Sequence, residues 1–159
     1  MRRAFLGLGS NLGERSRTLE GALELLRETV GVRELRRSTW HETAPVGGPE
    51  GQGDYLNGVC ELWTTLTPEA LLTRCQEIEL LFGRERLEMH GPRTLDLDLL
   101  WYEGEQRMSD ALKLPHPRLE ERVFVLAPLA ELAPELLLAE SGETVVARVT
   151  ALELLGASV

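Results

Sequence analysis

Thr94-Leu95-Asp96-Leu97-Asp98-Leu99-Leu100-Trp101 alternates polar and apolar side chains with a period of two, the pattern of a strand that buries one face. Leu95, Leu97, Leu99 and Trp101 are expected on the core side, with Thr94, Asp96 and Asp98 on the other. At roughly 3.3 Å of rise per residue the two acids stand about 7 Å apart along the chain, so a hard cation, or a close pair, could sit between their oxygens. Asp is depleted from strands and like charges repel, so this face is destabilising unless a cation or ligand offsets it. A half-exposed strand with an acidic solvent face is the alternative. Gly91-Pro92 is a turn signal that delivers Arg93 to the mouth of the strand.

At 159 residues, 43% hydrophobic and 27% charged, the chain suits a single globular domain spanning 1–159. No stretch approaches the roughly 18 apolar residues of a membrane span. Behind Arg2 and Arg3 the apolar run is broken by Gly7, Gly9, Ser10 and Asn11, too soon for a signal peptide. A cytoplasmic protein with no membrane partner is expected, as a monomer or weak homodimer. A net charge of −9 argues against nucleic acid as a partner, which needs a basic face. Cys60 and Cys75 fall in a strand pattern and a helix pattern and read as buried free thiols. One lysine, Lys113, stands against sixteen arginines, so a cation that grips phosphate here is an arginine fork.

Ala4 to Leu8 reads as a buried strand that runs into Gly9-Ser10-Asn11-Leu12-Gly13. A helix over about 14–29 follows, with Leu19, Ala22, Leu23, Leu26 and Val30 as its apolar stripe and Gly31 as its stop. Residues 32–43 form a weakly patterned strand, and 44–54, rich in glycine and proline, a functional loop. The strand over 55–65 puts Leu56, Cys60, Leu62 and Thr64 on one face and Tyr55, Asn57, Val59, Glu61 and Trp63 on the other. Thr67-Pro68-Glu69 caps a helix with Leu71, Leu72, Cys75, Ile78 and Leu81 inward, Gln76 and Glu79 on an exposed edge, and Gly83 at its end. An Arg-bearing loop over 84–92 then leads to the acidic strand. The order βαββαβ is the ferredoxin-like unit, an α+β fold with helices against an antiparallel sheet. An extended piece at Lys113-Leu114, Pro115-His116-Pro117, and helices near 124–132 and 144–154 complete the chain.

A P-loop is absent, because Lys113 stands in an unrelated context. Gly7-Leu8-Gly9-Ser10-Asn11-Leu12-Gly13 misses the dinucleotide fingerprint by one residue; its glycines allow close approach of backbone to a ligand, or a tight turn. Neither Gly-x-Ser-x-Gly nor a paired-histidine motif is present. Metal-assisted phosphoryl transfer is the chemistry that fits: Asp96 and Asp98 for the metal, with Arg84, Arg86, Arg93 and Arg122 as cations near that strand. A non-catalytic ligand-binding module of the same fold and a metal-dependent hydrolase are the rival readings.

Gly91-Pro92-Arg93-Thr94-Leu95-Asp96-Leu97-Asp98-Leu99-Leu100 closely resembles the signature of the 6-hydroxymethyl-7,8-dihydropterin pyrophosphokinases. Leu8 to Gly13, Thr43-Ala44-Pro45-Val46-Gly47, Asp54-Tyr55-Leu56-Asn57, and Leu114 to Arg118 followed by Arg122 to Leu126 resemble that family's other motifs, in order. The resemblance implies a three-layer α/β sandwich with a ferredoxin-like core and extra C-terminal helices. It implies transfer of pyrophosphate from ATP to a pterin alcohol in folate biosynthesis, with Asp96 and Asp98 binding two magnesium ions. It also implies a pterin held between Tyr55 and Phe124 and read by Asn57, with Gly9, Thr43 and Val46 beside it. Gln76, Glu79, Leu99, His116 and Arg122 would then fall on the ATP side, and Arg84 and Arg93 would assist transfer and touch ATP. The 84–90 loop is a residue shorter than in the best-known members, and His90 stands where Trp is common.

Overall fold

β1 (Arg2–Ser10) is the inner strand on which the molecule is assembled, and its residues alternate between two separate hydrophobic cores. The computed structural model describes residues 1–44, 51–83 and 94–156. After β1 come α1 (Arg15–Arg27), β2 (Val32–Arg37), β3 (His41–Thr43), β4 (Tyr55–Thr64), α2 (Pro68–Leu81) and β5 (Asp96–Tyr102). The remainder is β6 (Arg107–Met108), β7 (Lys113–Leu114), a 3-10 turn at Leu119–Glu121, α3 (Val123–Leu132) and α4 (Val145–Leu154). The sheet runs β2-β4-β1-β5, antiparallel at each step, with β3 paired to the first residues of β4. This is the expected ferredoxin-like arrangement. β6 and β7 form a small sheet of their own.

Ala4, Leu6 and Leu8 face α1 and α2, packing with Cys60, Leu62, Leu97 and Leu99 against Leu19, Leu23, Leu26, Leu71 and Ile78. Phe5 faces the other way, with Val59 and Leu100 against Val125, Leu126 and Leu129 of α3 and Val145 and Leu152 of α4. The C-terminal helices therefore make the third layer. Both cysteines are buried and unbridged.

Several expectations need correction. Val30 is 90% exposed, because α1 ends at Arg27 and the chain turns at Gly31, where φ is 93°. Leu81 is 67% exposed: from Leu71, Cys75 and Ile78 the helical phase leads next to Phe82, which packs against the core in its place. Glu79 is not on an exposed edge but 3% exposed beside that phase, while Gln76 is exposed. The single strand over 32–43 is two, with a break at Ser38-Thr39-Trp40, and the first of them is itself irregular, its register with β4 jumping between Arg33 and Arg36 where Glu34 takes φ 49°. Trp101 leaves the Leu95/Leu97/Leu99 face. β1 steps from Leu6 to Phe5 while β5 steps from Leu99 to Trp101, so Leu100 is an extra residue. Leu100 and Trp101 both turn to the second core, where the Trp101 ring lies 5.6 Å from that of Phe5, and Tyr102 returns to the first.

Candidate active site

The sheet register sets one row of residues across four strands: His41 pairs with Asn57, Asn57 with Gly9, and Gly9 with Asp96. Two residues further along, on the same face, Gly7 pairs with both Val59 and Asp98. Directly opposed residues share a face, and Val59 and Phe5 assign it to the side covered by α3. Two glycines thus leave bare backbone between a pair of carboxylates and Asn57. Leu100 covers Gly7, its side chain 3.5 Å from where a Cβ would stand. Over Gly9 that space belongs to the site's own groups, with Asn57 Oδ1 at 2.8 Å and Tyr55 Cδ1 at 3.6 Å from the same point.

Asn57 is oriented by a short hydrogen bond from its Nδ2 to Thr43 Oγ1 on the neighbouring strand. The segment before Tyr55 is tied down from the β1–α1 turn: Asn11 Nδ2 donates to Gln52 Oε1 (3.2 Å) and the Gly53 carbonyl (3.3 Å), and Arg15 to the Asp54 carbonyl (2.8 Å). Above this floor, Arg122 precedes α3 with its guanidinium carbon 5.5 Å from the Phe124 ring centre. Val125, Leu126 and Leu129 anchor the helix on the sheet.

β5 is the outer strand, and between the two acids the Leu97 N–H points away from β1 and donates to Glu79 Oε2 at 2.8 Å. A cavity of about 240 Å³ opens against β5, with Asp98, Leu99, Lys113, His116 and Leu72 among its walls. The bulge reaches this wall as well: the Leu100 carbonyl accepts the His116 N–H at 2.8 Å. His116 Nδ1 accepts the Arg118 N–H at 3.2 Å, so the neutral ring carries its proton on Nε2. Burial, then repulsion from Arg122 and Arg118, pushes the His116 imidazole below its usual range against the pull of Asp96. Burial and Arg118 likewise lower Arg122, while Asp98 and Asp96 act to raise it, so Arg122 feels both acids and His116 feels Asp96.

Gly9, Thr43, Tyr55, Asn57 and Asp96 therefore meet on one face, with Phe124 and Arg122 at the start of α3, the helix packed over that face. Leu99, Asp98 and His116 meet around the cavity. Val46, Arg84, Arg86, His90 and Arg93 lie outside the described residues. Lys113, set aside on sequence because it stands outside any phosphate motif, is a cavity wall residue. Its nearness to Pro115-His116-Pro117 was the available signal. His41 carried none, since its alignment with Asn57 exists only once β3 pairs with β4.

Half-buried oxygen donors beside bare backbone, cations held near them and aromatic rings at the margin suit a flat polar heterocycle next to a metal-bound polyphosphate. A family model for 7,8-dihydro-6-hydroxymethylpterin-pyrophosphokinase matches residues 5–134. The chain is 47% identical over 145 residues to the 2-amino-4-hydroxy-6-hydroxymethyldihydropteridine pyrophosphokinase of Methylorubrum extorquens, covering 91% of this chain and 90% of that one. To the protein of the same name from Bacillus subtilis it is 44% identical over 132 residues, covering 83% and 78%. Among solved structures, the crystal structure of Plasmodium falciparum HPPK-DHPS wild type with pterin and p-hydroxybenzoate is similar at a TM-score of 0.70 and 15% identity. That match covers 94% of this chain and 41% of the other, so the chain spans less than half of that longer protein.

Proposed function

This chain belongs to the 7,8-dihydro-6-hydroxymethylpterin-pyrophosphokinase family, and from that premise we propose how its residues divide the work of the reaction. The enzyme is an ATP-dependent diphosphotransferase of folate biosynthesis that moves pyrophosphate from ATP to the hydroxymethyl group of the dihydropterin. The hydroxymethyl oxygen attacks the β-phosphorus, the bond from that phosphorus to the α,β-bridging oxygen breaks, and AMP leaves with the oxygen.

The observation that carries the division of roles is the bare backbone at Gly9, flanked by Asp96 on one side and Asn57 and Tyr55 on the other. The pterin lies over Gly9 between the rings of Tyr55 and Phe124, where a flat heterocycle gains from contact on both faces. Asn57 and Thr43 read its polar edge, with Val46 beside them. The nucleoside end of ATP takes the cavity against β5, next to Leu99, so that the triphosphate runs past Asp98 and Asp96 towards Gly9. His116 donates from Nε2, Arg122 adds charge, and Gln76 borders the nucleotide from α2. Glu79 serves the same side by holding the Leu97 N–H, which fixes the backbone between the two acids. Arg84 and Arg93 meet the charge that builds on the transferring group, the interaction that lowers a barrier.

Asp96 and Asp98 offer oxygen donors only, on one face of one strand, and this fits magnesium, which takes one or two carboxylates and completes its shell with water and phosphate. They would hold two magnesium ions, which when bound neutralise phosphate oxygens and polarise the phosphorus. We infer a monomer or weak homodimer of the cytoplasm that works without nucleic acid or membrane. A net charge of −9 supports the part of this that concerns nucleic acid. Among the described residues no helix is long and apolar enough to cross a membrane.

Incubation with ATP, magnesium and the pterin alcohol should yield AMP and pterin pyrophosphate in equal amounts, whereas free phosphate would overturn the transfer reading in favour of a hydrolase. Asp96→Asn and Asp98→Asn should each abolish turnover while leaving the melting temperature without magnesium unchanged or higher, because a like-charge repulsion is removed. Turnover near that of the unmodified enzyme in either variant would end the assignment of the metal site.

A further inference from the structure

α3 is fastened to the sheet at the end remote from Phe124. Glu131 accepts the Thr39 N–H at 2.8 Å, the Thr39 hydroxyl at 3.0 Å and His41 Nε2 at 2.6 Å. Next to it, the Leu132 carbonyl accepts from Arg36 Nη2 at 3.0 Å. At the start of the helix Arg122 makes no side-chain cap, and the first turn is held instead by the packing of Val125 and Leu126 on the sheet. Seven residues separate Phe124 from Glu131, about two helical turns, so the ring and the carboxylate lie on one stripe of α3 roughly 10 Å apart. On the sheet, His41 is the outermost member of the row that continues through Asn57 and Gly9 to Asp96. Thr39 and His41 therefore connect the floor under the pterin to the helix stripe that carries Phe124. A carboxylate bonded at several atoms fixes the rotation of a helix about its axis as well as its height.

We propose that Glu131, with Thr39 and His41, is a positioning clasp for the pterin: it sets the angle and distance at which Phe124 faces Tyr55, and the nucleotide cavity against β5 is not part of it. The inference rests on the placement of the pterin between those rings. The clasp reaches the ring through the helix, while His41 also adjoins Asn57 through the β3–β4 register, and removing the ring separates the two routes. The cavity against β5 lies at the other end of the row, across three strand-to-strand steps, or about 14 Å.

Calorimetric titration of the intact enzyme with 6-hydroxymethylpterin, and separately with magnesium and a non-hydrolysable ATP analogue, tests the clasp. Glu131→Ala should raise the pterin dissociation constant about tenfold and change that of the nucleotide less than about twofold, with Glu131→Gln recovering most of the loss by keeping the acceptor for Thr39. In a Phe124→Ala background the same Glu131→Ala change should add less than about twofold, because residues that act through one another do not add. A purely structural role would lower the melting temperature and weaken both ligands alike, and that result overturns the proposal. So does an undiminished penalty in the Phe124→Ala background. If Phe124→Ala alone leaves pterin affinity intact, the ring placement fails and the clasp with it; if Phe124→Ala weakens binding but Glu131→Ala does not, only the clasp fails. Should Glu131→Ala not fold, Thr39→Val must show the same one-sided shift.

Discussion

A methyl group added at Gly9 would stand 2.8 Å from Asn57 Oδ1, closer than carbon and oxygen approach without displacement, and 3.6 Å from the Tyr55 ring. Asn57 is held by its bond to Thr43, so relief must come from moving Asn57, the group proposed to read the pterin. Gly9→Ala should then raise the pterin dissociation constant by about tenfold or more, equivalent to about 1.4 kcal/mol, while nucleotide affinity stays within about twofold. Calorimetry with each ligand checks it, and equal losses would relocate the pterin. At this scale the acids were legible because strand alternation alone puts Asp96 and Asp98 together. Glu79 was not: a carboxylate at the edge of a helical stripe reads as solvated until a partner from another element, here the Leu97 N–H, gives it a reason to be buried.

The bulge in β5 belongs to the next scale. It shifts Leu100 and Trp101 into the second core and aims the Leu100 carbonyl at His116, joining the strand of the acid pair to the wall of the cavity. Sequence conceals it, because Leu-Leu-Trp is apolar throughout and satisfies either face. The register jump inside β2 was hidden for a similar reason, with arginines and glutamates too evenly spread to mark it. Helices were read better, since capping and phase are local properties. Thr67 illustrates this: its hydroxyl accepts the Ala70 N–H at 3.1 Å, with Pro68 in the first turn behind it. Thr67→Ala should cost about 1 kcal/mol and lower the melting temperature by about 2–4 °C. Steady-state constants at 25 °C should not change, because the cap lies at the end of α2 opposite Glu79.

Across the whole molecule, one polar group unites three strands and a helix on the face of the second core. Glu61 of β4, 4% exposed, takes Arg3 of β1 at 2.5 Å and Arg36 of β2 at 2.7 Å, and Arg36 continues to the end of α3. Burial raises its carboxyl, but the bonds from Arg36 and Arg3 outweigh that and hold it below the usual carboxylate range. A lowered folded value means that this stabilisation is complete above the unfolded value of about 4.3 and is lost as pH falls through the folded one. Glu61→Gln should therefore destabilise the protein at pH 7 by about 1–3 kcal/mol, with the gap to the unmodified chain closing below about pH 4. Denaturant titrations at both pH values decide it, and a gap independent of pH would refute the charge argument. The fold at this scale was readable from element order because βαββαβ restricts the ways a sheet can close. The pairing of His41 with the clasp on α3 was not, since it depends on a helix that comes some ninety residues later. The position of β5 at the margin of the sheet has a consequence for the protein in concentrated solution. An outer strand offers unpaired amides to any neighbouring chain, the usual start of fibril-like growth. Here Glu79 occupies the outward-facing amide between the acids, and two like charges flank it, so the edge beside the cavity is closed to a second strand by its own electrostatics.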